Sequence, residues 1–537
     1  MSDVSVHFES SGVTAMVPPG SLLLDVAREA GVGVDAPCGG IGRCGRCRVV
    51  VSGAVSPLTD DERMLLSAED IAADVRLACR ARAVGDVHVS SAPPLGRIRI
   101  VEDAAVPRPE VEPPTVRGIV SDDPRDPLLG VAVDIGTTTL ALALVDLRNG
   151  DEIAHVSSLN PQHVFGADVM SRVTAALDGA THDLQTAVVE EIERLALALV
   201  ARVGAMPVHV REFSIVGNTA MRALLLADDT TPLAAAPYGG APVAPVATTT
   251  HDLGLRAFDA AVTVMPGVSA FIGGDTVAGL LVTHLAERRT STLFMDLGTN
   301  GEIVLATGGR MLAASAAAGP ALEGASIEMG MRAEPGAIER VRVFGDALLT
   351  DTIDGESARG ICGSGLLDLI AAMLDVGALD ASGRIDDGVR EPWVSRVIER
   401  SDQRVFTVDE AAEVVLTQRD VRELQLAKGA IRTAIDMLLE AAGLVAGDVY
   451  EVVVAGGFGL HVRGGALARI GMIPPEWAGR LHFVGNTALA GAVATLLGSE
   501  ARTAAAAIAE DVETLDLAGD PEFQQRFIAS LSFPRFH

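Results

Sequence analysis

Four cysteines crowd into the first 79 residues of this 537-residue chain: Cys38, Cys44 and Cys47 in PCGGIGRCGRC, and Cys79 in RLACRA. The spacing is C-x5-C-x2-C-x31-C. Gly39, Gly40, Gly42 and Gly45 allow backbone angles that bring three sulfurs to one point, with amides able to hydrogen-bond them. A fourth thiolate arriving from a distant segment completes a set that suits an iron–sulfur cluster or zinc. Zinc sites usually use two short C-x2-C knuckles. A triple plus a single is the layout of a [2Fe–2S] loop, here one residue longer than the plant-type C-x4-C-x2-C. Zinc remains the alternative. Arg43, Arg46, Arg48, Arg76, Arg80 and Arg82 flank the ligands, to offset the cluster's charge or to dock an acidic electron donor. Cys362 stands apart and reads as a small loop or core residue.

A second chemistry is written twice. Val131–Leu147 reads VAVDIGTTTLALALVDL and Thr292–Ala306 reads TLFMDLGTNGEIVLA. Each is an apolar strand ending in Asp, a Gly-Thr turn and a second apolar strand. Gly136 and Gly298 permit close approach of an anion, and Thr137, Thr138, Thr299 and Asn300 supply donors for phosphate oxygens. Asp134 and Asp296, at the strand ends, are placed to hold Mg²⁺ through water or to orient an attacking water. One such turn is weak evidence, since an ordinary Asx turn looks the same. Two matched copies point to a phosphate-binding cleft.

Two further glycine elements accompany them. Val452–Gly459, VVVAGGFG, runs a buried strand into Gly456-Gly457, a flat surface for adenine. The preceding helical stretch Asp420–Leu439 carries Gln425 and Lys428 within reach of a ribose, although Lys428 reads equally well as a solvated helix residue. Gly360–Gly365 opens a helix over Leu366–Leu374, so the amides near Gly363 form either an anion site or a tight cap.

The elements that must position these groups fall into segments. Residues 1–92 alternate as strands at Val4–Glu9, Arg48–Ser52 and Val84–Ser90 around a helix at Ser21–Ala30, with a Thr59/Glu62 capping box. This pattern suits a β-grasp. Residues 93–128 are rich in proline and read as a semi-rigid linker with a small ordered element at Gly96–Val101. Residues 129–290 and 291–537 alternate helices and strands, which favours α/β layers. A second echo, IVGNTAM (Ile215–Met221) and FVGNTAL (Phe483–Leu489), follows the two Asp-Gly-Thr turns in order and suggests a duplicated fold. Asp134 precedes Gly217 by 83 residues and Asp296 precedes Gly485 by 189, so the second half carries a large insertion.

The formal charge of −29 argues against nucleic acid as a partner. With aromatics at only 3%, the cores must be built from aliphatic residues. No apolar run reaches the roughly 20 residues of a membrane span, and MSDVSVHFESSG lacks the layout of a secretion signal. A soluble cytoplasmic protein is the expectation.

Asp134–Thr139, Asp296–Glu302 and Ala455–Gly459 resemble the phosphate-1, phosphate-2 and adenosine motifs of the actin, sugar-kinase and Hsp70 superfamily. That resemblance covers about residues 129–537 and implies two RNase-H-like halves hinged around Mg·ATP. It also puts the VGNT segments at connecting-helix positions, where Gly217 and Gly485 would let helices cross closely. The cysteine loop resembles that of adrenodoxin-like ferredoxins. Adding NPQHVFGADVMSRV (Asn160–Val173), FIGGDTVAGL (Phe271–Leu280) and GICGSGLLD, nearly the whole chain resembles the reductive activators of corrinoid proteins. The resemblance implies an α/β multidomain protein: a β-grasp ferredoxin-like domain, a Pro-rich linker and a duplicated actin-like ATPase body. It implies ATP-dependent return of a methyltransferase's corrinoid protein from Co(II) to Co(I), an external low-potential electron donor, and an architecture that suits a homodimer. Rival readings are a sugar-kinase-like phosphotransferase using Asp275, an ATP-gated donor to another low-potential enzyme, and a ferredoxin-tethered scaffold. Phe165, Asp168, Asn218, Gly274 and Asp275 lie in the shared phrases, where packing or capping explains them as well as function does.

Overall fold

Alternating apolar residues in the N-terminal segment fold as a twisted sheet against one helix. The computed structural model describes residues 3–535 apart from 10–11, 31, 33, 35–46, 67, 92–103, 120–125, 237, 299, 387, 401–402, 457–461 and 518. The chain divides into two compact units, Met1–Arg97 with Pro161–Ala175, and Ile98–Asn160 with Ala176–His537. No helix among the described residues is long and apolar enough to cross a membrane.

In the first unit the strands run in the order Val13–Val17, Val4–Phe8, Arg82–Ser91, Arg48–Val55, Val75–Leu77, with Ser21–Leu22 also paired to Arg82–Ser91. Val4–Phe8 lies parallel to Arg82–Ser91, and helix Leu23–Glu29 buries Leu23, Leu24, Val26 and Ala27. The hairpin partner Val13–Val17 and the three-residue strand Val75–Leu77 escaped the sequence reading, being short and weakly alternating. The Thr59/Glu62 capping box is present, and Glu62 does more than cap. It is fully buried, takes both Arg76 Nη2 (2.8 Å) and the Leu77 amide (3.1 Å), and so ties its helix to the Val75–Leu77 strand. Arg48 pairs with Asp70 and Arg80 with Asp61. These arginines therefore serve the frame of the domain, which neither sequence alternative anticipated. Arg43 and Arg46 lie outside the described residues.

The second unit holds two sheets of matching topology. Each begins with an antiparallel meander and continues with two strands parallel to the first. In one, Leu129–Ile135, Thr139–Asp146 and Glu152–Leu159 form the meander, followed by Val210–Gly217 and Ala261–Val264. In the other, Thr292–Leu297, Gly301–Thr307 and Arg310–Ala316 are followed by Glu451–Ala455 and Leu481–Gly485. The central strands read as continuous apolar runs because both faces are covered. Two three-stranded sheets within Ala337–Thr417 and helix Gly363–Val376 account for the large insertion in the second half.

The topology corrects one sequence argument. The first VGNT follows the fourth strand of its half and the second VGNT follows the fifth, so they are not equivalent. The equivalent helices after the fifth strands are Gly274–Val282 and Thr487–Leu497, which pack on each other. Their close approach depends on Gly279 and Gly491 instead of Gly217 and Gly485. A Cβ on Gly491 would lie 2.4 Å from Ala278 Cβ, and one on Gly279 would lie 2.9 Å from Thr487 Oγ1.

The Pro-rich segment also differs from a simple linker. The Ala105 amide donates to Val484 O (2.8 Å), and the Glu112 amide to Leu497 O (3.0 Å). Arg117, whose side chain is 5% exposed, donates to Glu212 Oε2 (2.9 Å) in the first half and to Leu496 O in the second. Glu212 also takes Arg502. The strap joins a sheet only through one antiparallel bridge, Ala104 to Gly485, since its prolines lack donors, yet the amides of Ala105 and Glu112 and one arginine find fixed partners. Gly96–Val101 lies outside the described residues.

Candidate functional site

In the first unit, antiparallel pairing of Arg48 opposite Leu77 brings together two cysteines 32 positions apart in sequence. Cys47 immediately precedes its strand and Cys79 follows the other, both buried. The Ala78 amide donates to Cys47 O (2.7 Å) and the Cys79 amide to Cys47 Sγ (3.4 Å). An amide aimed at a sulfur is the environment a thiolate ligand needs. Cys38 and Cys44 lie outside the described residues. Cys362 is buried, its Sγ bonded to Ile338 O (3.3 Å), as a core residue.

In the second unit the two Asp-Gly-Thr turns face a shared cleft. Gly136 N closes the first turn on Thr139 O, and Gly298 N closes the second on Asn300 O, each at 2.9 Å. Asn160, fully buried, braces the first turn by donating its side chain to Gly136 O (2.8 Å) and its amide to Thr138 O (2.9 Å). Thr299 lies outside the described residues.

Both VGNT asparagines act here, although their strands are not equivalent. Asn218 caps helix Thr219–Leu226 by accepting from the Met221 amide, and its Nδ2 donates to Thr137 Oγ1 (3.0 Å). Asn486 caps helix Thr487–Leu497 through the Leu489 amide, and its Nδ2 reaches Asp134 Oδ2 (3.1 Å) across the cleft. The signal available in sequence was the Asn-Thr pair after an apolar strand, the mark of an N-cap. What each spare Nδ2 touches was not visible there.

Asp134, Asp275, Asp296 and Glu302 form one half-buried electrostatic group. Glu302 stands directly across the hairpin from Asp296. Burial raises Asp134 to about 7, opposed by the Asn486 bond and assisted by Asp275. Burial, then Asp275 and Asp134, raises Asp296 to about 7. Asp275 rises to about 6 through burial, opposed by its bond to the Thr276 amide. Glu302 is pushed well above its ordinary range by burial, Asp275 and Asp296. Burial first and the neighbouring carboxylates second thus bias these groups towards their protonated forms, a bias that a nearby cation would relieve. Among the described residues no three acidic, His or Cys side chains converge to hold an ion directly. A hydrated Mg²⁺ carried on phosphates fits the arrangement, because Mg²⁺ keeps several waters and takes few protein ligands.

Glu323 completes the cleft and was missed in sequence. It ends the short 3₁₀ turn Pro320–Glu323, and its Oε2 accepts from Thr138 Oγ1 (3.1 Å) in the first half. Its Oε1 is 3.9 Å from where a Cβ on Gly298 would lie.

The structure places the other expected site residues as follows. Gly456, at φ +89°, gives room to Asp296, whose Oδ1 would lie 2.6 Å from a Cβ there; Gly457 lies outside the described residues. Gln425 and Lys428 do not project into a ribose site. Lys428 is 1% exposed, its Nζ donating to Ser532 O and lying 5.3 Å from the Phe533 ring centroid. Gln425 Nε2 donates to Leu531 O (2.9 Å) and Ser382 O (3.1 Å). Helix Phe523–Leu531 and the residues after it cover this face, which a solvated reading of the helix could not foresee. Gly363 begins helix Gly363–Val376, where Gly365 lets the helix reach strand Ala337–Phe344: a Cβ would fall 2.0 Å from Ile338 O. Gly365 there serves packing. Asp368 is buried against Arg463, and Asp168 caps its own helix through the Ser171 amide.

Comparison with known proteins gives three matched regions. Residues 6–84 match a 2Fe-2S iron-sulfur cluster binding domain, 129–288 the RACo middle region, and 290–537 the C-terminal domain of RACo, the ASKHA domain. The corrinoid activation enzyme RamQ of Eubacterium limosum is 32% identical over 428 residues, covering 77% of this chain and 72% of that protein. The [Co(II) methylated amine-specific corrinoid protein] reductase of Methanosarcina barkeri is 26% identical over 444 residues, covering 76% and 77%. The solved structure of a reductive activator for corrinoid, iron-sulfur protein superposes with a TM-score of 0.70 at 27% identity, covering 99% and 98% of the two chains.

Proposed function

The chain belongs to the family of corrinoid-protein activators that share the RACo domains, and from that premise we propose that it reduces an inactive Co(II) corrinoid protein to Co(I) at the expense of ATP. The observation that carries the proposal is the presence, in one chain, of a buried cysteine pair in a [2Fe–2S] domain and paired phosphate turns over a carboxylate cluster.

Cys38, Cys44, Cys47 and Cys79 would hold the cluster, which supplies a one-electron relay when bound. An external low-potential donor provides the electron that the cobalt gains. The fold around Cys47 and Cys79 buries both sulfurs and presents an amide to one of them, which would tune the potential of a cluster held there. In the other unit, Thr137, Thr138 and Asn300 would bind phosphate oxygens. Asp134 and Asp296 would orient the water that attacks the γ-phosphorus and accept its proton as the bond to ADP breaks, releasing phosphate. Groups that titrate near neutrality suit that exchange. Asn486–Asp134 and Thr138–Glu323 join the two halves, so phosphates that engage these groups alter how the halves meet. Nucleotide states that differ in this way can bind the partner differently, without which ATP could shift nothing.

The test is anaerobic. Reduced protein, Mg·ATP and a Co(II) corrinoid protein are mixed and the visible spectrum followed; an ATP-dependent Co(I) signal is expected. Its absence with every corrinoid partner, alongside rapid turnover of a small phosphoryl acceptor, would favour a phosphotransferase instead. Cys79→Ser should abolish the signal while leaving nucleotide binding intact.

A further inference from the structure

Glu323 sits where an anion-binding cleft has no obvious use for another negative charge. The two phosphate turns offer donors to phosphate oxygens, yet this carboxylate lies between them. One oxygen holds the Thr138 hydroxyl of the first turn at 3.1 Å, and the other is 3.9 Å from the would-be Cβ of Gly298 in the second. Its place is set by the backbone. Gly319 (φ +72°) and Gly324 (φ +75°) bracket the 3₁₀ turn, and a Cβ on Gly324 would come within 2.6 Å of Met331 O. Ala321 and Leu322, in the same turn, are buried in the core of the second half. The carboxylate is thus delivered by a rigid element, and it is distinct from the cluster at Asp134, Asp275, Asp296 and Glu302.

We infer that Glu323 is a specificity-determining residue that makes the cleft admit a nucleoside triphosphate as its divalent-metal complex and reject the free anion. The inference rests on the reading that this cleft binds ATP. A triphosphate without metal meets a fixed negative charge at a half-buried site, where repulsion is only partly screened. The same charge attracts a cation that arrives on the phosphates, through that cation's water. Thr138 is the switch point, because its hydroxyl is committed to Glu323 until a phosphate oxygen competes for it. Selection of this kind works by penalising the wrong ligand as well as by attracting the right one.

The experiment is calorimetric titration of the intact, cluster-loaded protein with ATP, in excess Mg²⁺ and in excess EDTA, for the native chain, Glu323→Gln and Glu323→Asp. The native protein should bind Mg·ATP at least about a hundredfold more tightly than free ATP. Glu323→Gln should narrow that ratio by about tenfold or more, mainly by binding free ATP better, the size of one repulsive contact in such a setting. Glu323→Asp, which keeps the charge, should retain most of the preference. The inference is overturned by an unchanged ratio in Glu323→Gln, or by equal weakening of both forms, which would make Glu323 only a structural contact. Absence of ATP binding by the native protein in either condition would overturn the inference together with the nucleotide reading on which it stands.

Discussion

Replacing Asp296 by Asn should stabilise the metal-free protein at pH 8 while disabling its chemistry. Asp296 is raised from 3.8 to about 7 by burial and by the neighbouring Asp275 and Asp134. A folded-state value above the unfolded one means that the native protein binds the proton more tightly, so stability falls as pH climbs from about 4 towards 7. At roughly 1.4 kcal/mol per unit, the full penalty above pH 7 has an upper bound of about 4 kcal/mol. Solvent at the half-buried cleft and relaxation of its neighbours reduce it, and we expect Asn to recover about 1–3 kcal/mol at pH 8. At pH 5 the native carboxyl is already largely protonated, so the gain should shrink to about 1 kcal/mol or less. The assay is thermal unfolding of both proteins in EDTA from pH 5 to pH 8, repeated with Mg·ATP. Mg·ATP should raise the melting point of the native protein more than that of the variant, and hydrolysis by the variant should fall by about a hundredfold or more. A stability difference independent of pH, or a variant less stable than the native protein at pH 8, would refute the electrostatic account.

Arg117→Ala removes one of the two arginines on buried Glu212 and should cost about 2–4 kcal/mol, read by urea or thermal unfolding. A loss below about 0.5 kcal/mol, the range of ordinary surface changes, would mean that the strap is not anchored as described. Gly491→Ala places a methyl 2.4 Å from Ala278 Cβ, whereas Gly465→Ala meets nothing within 4 Å. The first should destabilise by about 1–3 kcal/mol and the second should be neutral or gain up to about 1 kcal/mol; equal effects would deny the tight crossing. Lys428→Met should change ATP affinity by less than about threefold, since its amine is used against Ser532 O; a loss beyond about tenfold, one 1.4 kcal/mol step, would restore the ribose role.

What could be read in sequence was local. The Thr59/Glu62 box, the Asp-Gly-Thr turns and the strands leading into them depend on neighbours a few residues apart, and each appears where its pattern pointed. The duplication was legible from the turns. The VGNT echo supported it for the wrong reason, because a short strand-to-helix phrase recurs wherever a parallel strand ends on an N-cap. Partners far apart in sequence were hidden. Asn486 meets Asp134 across 352 positions and Thr138 meets Glu323 across 185, and no periodicity encodes either distance. Lys428 and Gln425 misled because a polar residue on an amphipathic helix looks solvated until another segment, here the chain around Leu531 and Ser532, is laid over it. Proline content misled likewise for residues 104–119: it reports the missing donors and says nothing of the donors that remain.

The strap has a thermodynamic consequence. Its contacts reach both halves of the ATPase, with Arg117 held at once by Glu212 on one side and Leu496 O on the other. A motion of the halves that separates those two acceptors must stretch or break the clasp, and a clasp that resists must oppose the motion. Such coupling is reciprocal: whatever factor nucleotide imposes on the strap, a load on the strap imposes on nucleotide affinity, tenfold for each 1.4 kcal/mol. The segment that looked like passive rope is then a force gauge, able to report the state of the cleft along the chain and to bias that state in return.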